Sequence, residues 1–167
     1  MSEQANTLGG MQNLTSVERR GDHELVVTRT FDAPPDAVYM AWSQPVFFQR
    51  WWVPKSVSGM SLVSCDMDVR TGGKYRLEFG FGSTDTLFFY GEYLEVMPNE
   101  RIVWTNDEGE EGAVTTVTFD DHGGKTLLRL HEIYRSKEAL KEALQGSAAA
   151  LPEQLEQLDE LLSTEIR

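Results

Sequence analysis

Among 167 residues there is a single cysteine, Cys65, and only three histidines. No apolar run approaches the roughly 20 residues that a helix needs to cross a bilayer, which argues against membrane insertion. The lone cysteine excludes an intrachain disulfide and a cysteine-based zinc site, and it fits a reducing compartment. Basic side chains are scarce, 15 against 27 acidic ones, for a formal net charge of -12. Such a chain repels nucleic-acid phosphates and anionic headgroups at long range, so no nucleic-acid partner is expected. The opening residues lack a basic stretch followed by an apolar core, and the expected location is the cytoplasm.

The common catalytic and cofactor signatures are missing too. There is no Gly-x-Ser-x-Gly elbow, no phosphate-binding glycine loop and no dinucleotide fingerprint, and Gly80-Phe81-Gly82 lacks a third glycine. No cofactor is implied. His23, His122 and His131 are too far apart for a short zinc motif, and the pairs Asp66/Asp68 and Asp120/Asp121 lack the calcium-loop pattern. No metal site is expected, and binding stands ahead of catalysis as the expected activity.

What is present is an ordinary globular composition, 40% hydrophobic and 25% charged, in a chain of one-domain size. Residues 1–21 are poor in large apolar groups and read as a flexible tail; residues 22–167 read as a single domain without repeat or linker.

Residues 24–31 carry Val26, Val27, Thr28 and Thr30 and read as a strand that Pro34 and Pro35 end. Val38, Ala41 and Trp42 recur at helical spacing, and Pro45 restarts the chain into a second short helix bearing Phe47, Phe48, Trp51 and Trp52 before Pro54 stops it. The period then changes to two. Val63, Cys65, Met67 and Val69 share one face; after Gly72-Gly73, Tyr75, Leu77, Phe79 and Phe81 share the corresponding face of a returning strand. Further strands are expected over residues 86–96, 101–105, 113–119 and 126–133, joined by links too short for parallel crossovers. Ser136 caps a short helix that Gly146 interrupts. A longer helix follows, with Leu151, Leu155, Leu158 and Leu162 on one side and Glu153, Glu156, Gln157 and Glu160 on the other. An antiparallel sheet with one apolar face and a helix with one apolar stripe pack together as a two-layer α+β domain.

The aromatic side chains Trp42, Trp51, Tyr75, Phe79, Phe89, Tyr93 and Trp104 either fill the core or line a pocket between sheet and helix. Leu77, Val117, Leu128 and Leu130 from the strands, with Leu155 and Leu158 from the helix, belong to the same candidate surface. Cys65 sits there as a small hydrophobe. Glu132 continues the face of Thr126, Leu128 and Leu130. If buried, it is an acid, a base or a polar anchor with a raised pKa; if past the sheet edge, it is solvated. Glu132 and Tyr93 are the candidate catalytic groups. The cluster Trp51-Trp52-Val53-Pro54 forms either a pocket mouth or a staple that fixes the second short helix.

Several motifs carry a resemblance. Phe31-Asp32-Ala33-Pro34, Val38, Ala41-Trp42-Ser43, Pro45 and Trp51-Trp52-Val53-Pro54 open it. Asp66-Met67-Asp68-Val69-Arg70-Thr71-Gly72-Gly73, Gly91-Glu92-Tyr93, Pro98, Glu100-Arg101 and Thr126-Leu127-Leu128 follow in order. Over residues 24–164 the chain resembles the Hsp90-ATPase-activator homologue family of the START/Bet v 1-like superfamily. The resemblance implies a helix-grip fold, a curved antiparallel sheet wrapped around the long C-terminal helix, in which many members enclose a cavity. Family members include lipid and hormone binders, polyketide cyclases and a co-chaperone domain. One departure is Glu132, where many relatives carry a histidine. The expected function is therefore binding of a small, mainly apolar ligand, lipid-like or an aromatic metabolite. The alternatives are a co-chaperone-like interaction module with a chaperone partner, or a cyclase- or hydrolase-like enzyme using Glu132 or Tyr93. A homodimer is compatible with either.

Overall fold

The computed structural model describes residues 14–82, 85–106 and 112–164. Strands β1 (Ser16–Arg20) and β2 (Glu24–Phe31) are followed by helices α1 (Pro35–Ser43) and α2 (Pro45–Phe48). Six strands come next: β3 (Ser61–Met67), β4 (Lys74–Gly80), β5 (Thr86–Met97), β6 (Arg101–Thr105), β7 (Val114–His122) and β8 (Lys125–Ile133). Helix α3 (Lys137–Gln145), a 3-10 turn (Ser147–Ala150) and α4 (Leu151–Thr164) complete the described chain.

All eight strands form one antiparallel sheet in the order β1-β2-β8-β7-β6-β5-β4-β3. Strands β3 to β8 run as successive hairpins, as their short links require. The pairing of β2 with β8, Phe31 opposite Thr126 and Leu25 opposite Glu132, is the long-range step. The class is α+β, with a curved open sheet around a C-terminal helix.

Local chemistry explains the element ends. Pro35 occupies the first turn of α1, where its missing N–H costs nothing. The Ser136 hydroxyl accepts from the Ala139 amide at 3.0 Å and caps α3. Two bulges bend the sheet: the ladder shifts between Leu62 and Ser64 in β3 and between Tyr93 and Glu95 in β5.

Four expectations need correction. The segment read as a tail contains a strand, because Ser16–Arg20 pairs residue by residue with β2 and shields its outer edge; residues 1–13 lie outside the described residues. The second short helix ends at Phe48, and Trp51 and Trp52 stand in the turns after it. Val63 and Phe81, both expected inward, are 59% and 41% exposed: the β3 bulge absorbs Val63 and Leu62 faces the sheet interior in its place, while Phe81 lies past the end of β4.

The core lies between the inner face of the sheet and the helices. Leu25, Val27, Phe31, Leu128, Leu155 and Leu158 are fully buried there. One charge enters it. Arg29, on the inner face of β2, reaches α4 and donates to Asp159 at 2.8 Å, while its other terminal nitrogen donates to the Thr15 hydroxyl at 3.0 Å. No described helix is long and apolar enough to cross a membrane.

Candidate functional site

Between the sheet and the helices lies a cavity of about 550 Å³. Its sheet wall comes from the inner faces of β4, β5, β6 and β8, which the period-two pattern aims inward: Tyr75, Leu77, Phe79, Phe89, Tyr93, Trp104 and Leu130 all border it. Met67 and Ile102 extend that wall. Trp42, Phe48, Trp52 and Pro54 close a second side, and Ala139, Ala143, Ala148, Leu151 and Gln154 a third. Small alanines on α3 and the 3-10 turn opposite large rings on the sheet leave the space unfilled. Glu142, Gly146 and Ser147, which border the cavity and are exposed, mark where it reaches the surface.

Not every candidate surface residue borders this space. Trp51 is fully buried behind it, its indole N–H donating to the Ala41 carbonyl at 3.0 Å and its ring 4.8 Å from that of Trp42. Val117, Leu128, Leu155 and Leu158 are buried in the core away from the cavity, and half-buried Cys65 packs against the core without lining it. The Cys65 thiol is pushed up to about 11 by burial and by the neighbouring Asp66 charge. It is a poor nucleophile there.

The segment after α2 is strapped to α4. Gln157 donates to the carbonyls of Trp51 and Val53 at 2.9 and 2.8 Å and accepts from the Lys55 amide at 2.9 Å. Gln154 donates to the Trp52 carbonyl at 2.6 Å, and Glu153 accepts from the Ser56 amide and hydroxyl. Glu153 and Gln157, expected on the solvent side of the last helix, thus hold Trp52 and Pro54 against the cavity. Trp52 stacks on Phe48 at 4.7 Å. The Trp42 indole N–H is buried without a hydrogen-bond partner among the described residues.

One end of the cavity is polar. Thr115 on β7 stands opposite Glu132 on β8, and its hydroxyl donates to Glu132 Oε2 at 2.9 Å. The Tyr134 hydroxyl donates to Glu132 Oε1. Asn106, just past β6, donates through Nδ2 to Thr115 Oγ1 at 3.0 Å and to the Ala113 carbonyl at 3.1 Å. The Tyr75 hydroxyl donates to the Thr105 carbonyl at 2.8 Å and reaches Asn106 Oδ1 at 3.4 Å. Tyr75, Asn106, Glu132 and Tyr134 border the cavity, and Thr115 is fully buried behind them.

Of the two readings open for Glu132, the structure takes the inward one. Burial pushes its carboxyl above the usual carboxylate range, against the opposing effects of the Tyr134 and Thr115 hydrogen bonds and of His131. Burial, then the Glu132 charge, holds the Tyr134 phenol well above its ordinary value. Tyr93 is raised as well, chiefly by burial. His131 points outward and meets Glu24 at 2.7 Å. Chemically, the polar end offers one carboxyl flanked by two hydroxyl donors, an arrangement that can hold a polar atom of a ligand. No group of three or more potential metal-ligating side chains occurs among the described residues.

Asn106, Thr115 and Tyr134 carried no sequence signal of their own. Asn106 and Tyr134 lie beyond the ends of strands, and Thr115 is one of several threonines in β7. Only the register that sets Thr115 opposite Glu132 could have found them.

Residues 32–163 match the family described as "Activator of Hsp90 ATPase homolog 1-like protein". Solved structures agree on the fold. A protein from Rhodobacter sphaeroides is 21% identical with a TM-score of 0.79, over 90% of this chain and 99% of its own. A protein from Chromobacterium violaceum is 27% identical with a TM-score of 0.66, over 86% and 99%. An AHSA1-like protein from Aeromonas hydrophila is 18% identical with a TM-score of 0.65, over 83% and 92%. No curated protein matches the chain.

Proposed function

The chain belongs to the Activator of Hsp90 ATPase homolog 1-like family, and from that premise we propose that it binds a small, mainly apolar molecule in the cavity between sheet and helices. The observation that supports this reading is the cavity itself, about 550 Å³, walled by aromatic and aliphatic side chains and polar at one end. Pockets of a few hundred Å³ with such a lining suit lipid-like or aromatic metabolites. At about 25 cal/mol per Å², covering a few hundred Å² of apolar ligand surface yields several kcal/mol, enough for micromolar affinity when the walls are preformed. The strap from Gln154 and Gln157 to residues 51–53 favours preformed walls.

Native mass spectrometry of the purified protein, with a thermal-shift screen of fatty acids, sterols and aromatic metabolites, tests this. A retained or stabilising ligand supports the cavity reading. Absence of both across all three classes overturns it.

The family description favours a second reading, a surface that docks on a chaperone. That reading needs no ligand. Stimulation of a chaperone ATPase by the added protein, unaffected when the cavity is filled by mutation, would select it.

A further inference from the structure

The charge in the cavity has one sign. Glu132 and Glu142 border it, and no lysine, arginine or histidine does so among the described residues. His131, next to Glu132 on β8, meets Glu24 on the outer face, and the inner-face cation of β2, Arg29, is committed to Asp159 and Thr15. Glu132 has no salt-bridge partner among the described residues.

The hydrogen bonds around Glu132 also have a fixed direction. Asn106 Nδ2 can only donate, so Thr115 Oγ1 accepts from it, and the one hydroxyl hydrogen of Thr115 is left for Glu132 Oε2. Tyr134 donates to Oε1. Both carboxyl oxygens therefore act as acceptors, the pattern that suits an ionised carboxylate. A part-buried carboxylate with donors but no cation carries a desolvation cost, and a ligand cation would offset it.

The sheet register extends the site. Tyr93 stands opposite Trp104, Trp104 opposite Thr115, and Thr115 opposite Glu132, one row across four strands on the inner face. At about 4.8 Å between strands, Trp104 lies about 10 Å from Glu132 along this row, the length of a small aromatic amine. Aromatic faces attract organic cations and their apolar bodies alike.

We propose that the cavity takes an organic cation, an apolar or aromatic body bearing one protonated amine, with the ammonium on Glu132 and the body along Trp104 and Tyr93. This rests on the cavity reading above and narrows it to a ligand class.

The test is a matched set with one indole body: tryptamine, tryptophol and indoleacetate, which are cationic, neutral and anionic. Each competes against the uncharged fluorescent probe phenylnaphthylamine on the intact protein at about pH 8, which lies above the ordinary carboxylate range and below that of a primary amine. Tryptamine is expected to displace the probe at concentrations about tenfold below tryptophol, with indoleacetate weakest. In Glu132→Gln, tryptamine and tryptophol become equal while the probe still binds. Probe binding with tryptophol or indoleacetate matching tryptamine in the unmutated protein overturns the amine assignment and leaves the cavity reading standing. Failure of the probe and of all three indoles to bind overturns both. The comparison in the unmutated protein decides the matter even if the variant does not fold.

Discussion

Thr115 and Glu132 face each other across the β7–β8 ladder, and the hydroxyl of the first donates to the carboxylate of the second at 2.9 Å. The bond fixes the orientation of a part-buried acid from the strand beside it. With Tyr134 on the other oxygen, it turns one glutamate into a directed polar end for an otherwise apolar space.

Because burial raises the Glu132 pKa, the unfolded chain releases this proton at a lower pH than the folded one. Its contribution is therefore most favourable below the ordinary carboxylate range and is lost as pH rises towards the raised value. Urea unfolding across pH should show the native protein losing stability relative to Glu132→Gln in that window, by about 1.4 kcal/mol for every pH unit it spans. Parallel pH profiles for the two proteins would show that Glu132 is not shifted.

Ala143 borders the cavity from α3. Ala143→Leu places three further carbons into existing space, so its stability should stay within about 1 kcal/mol of the parent, since no close-packed neighbours are displaced. Binding of phenylnaphthylamine should weaken at least about tenfold. Undiminished fluorescence of the probe in this folded variant would locate its site elsewhere.

Asp159 on α4 neutralises Arg29, whose side chain is 7% exposed. Asp159→Ala leaves that guanidinium buried without its counter-charge and should cost about 3 kcal/mol in urea unfolding. Replacing both residues, Arg29→Met with Asp159→Leu, should recover most of the loss. A double variant no more stable than the single one would mean that Arg29 matters mainly through Thr15.

Gly91 lies where β5 passes from pairing with β4 to pairing with β6. A Cβ there would stand 1.9 Å from the Thr105 carbonyl oxygen, which also accepts from the Tyr75 hydroxyl. Gly91→Ala should thus lower stability by more than about 2 kcal/mol, and the midpoint of thermal unfolding reports it.

Much of this architecture was legible beforehand because its cause is local. Alternation of Tyr75, Leu77 and Phe79 with Lys74, Arg76 and Glu78 orients β4 whatever its neighbours are, and all three alternating apolar residues do border the cavity. The leucine stripe of α4 is likewise buried. Periodicity says which side chains turn inward, but not what they meet. Trp51 and Trp52 are adjacent and chemically alike, yet one is sealed in the core and the other borders the cavity. Val63 obeyed the pattern until a bulge removed it from the count.

The order of apolar and polar residues by itself determined an antiparallel α+β domain, the positions of most strands and helices, and an aromatic inner face, since those follow from backbone periods of 2 and 3.6. Tertiary structure decided the rest. Whether the inner face closed on itself or left space depended on small alanines from α3 meeting large rings from β4 to β6. Whether Glu132 met water or two hydroxyls depended on a register joining residues 17 positions apart. Both are sums over side chains brought together from distant parts of the chain, and a local pattern carries no record of their partners.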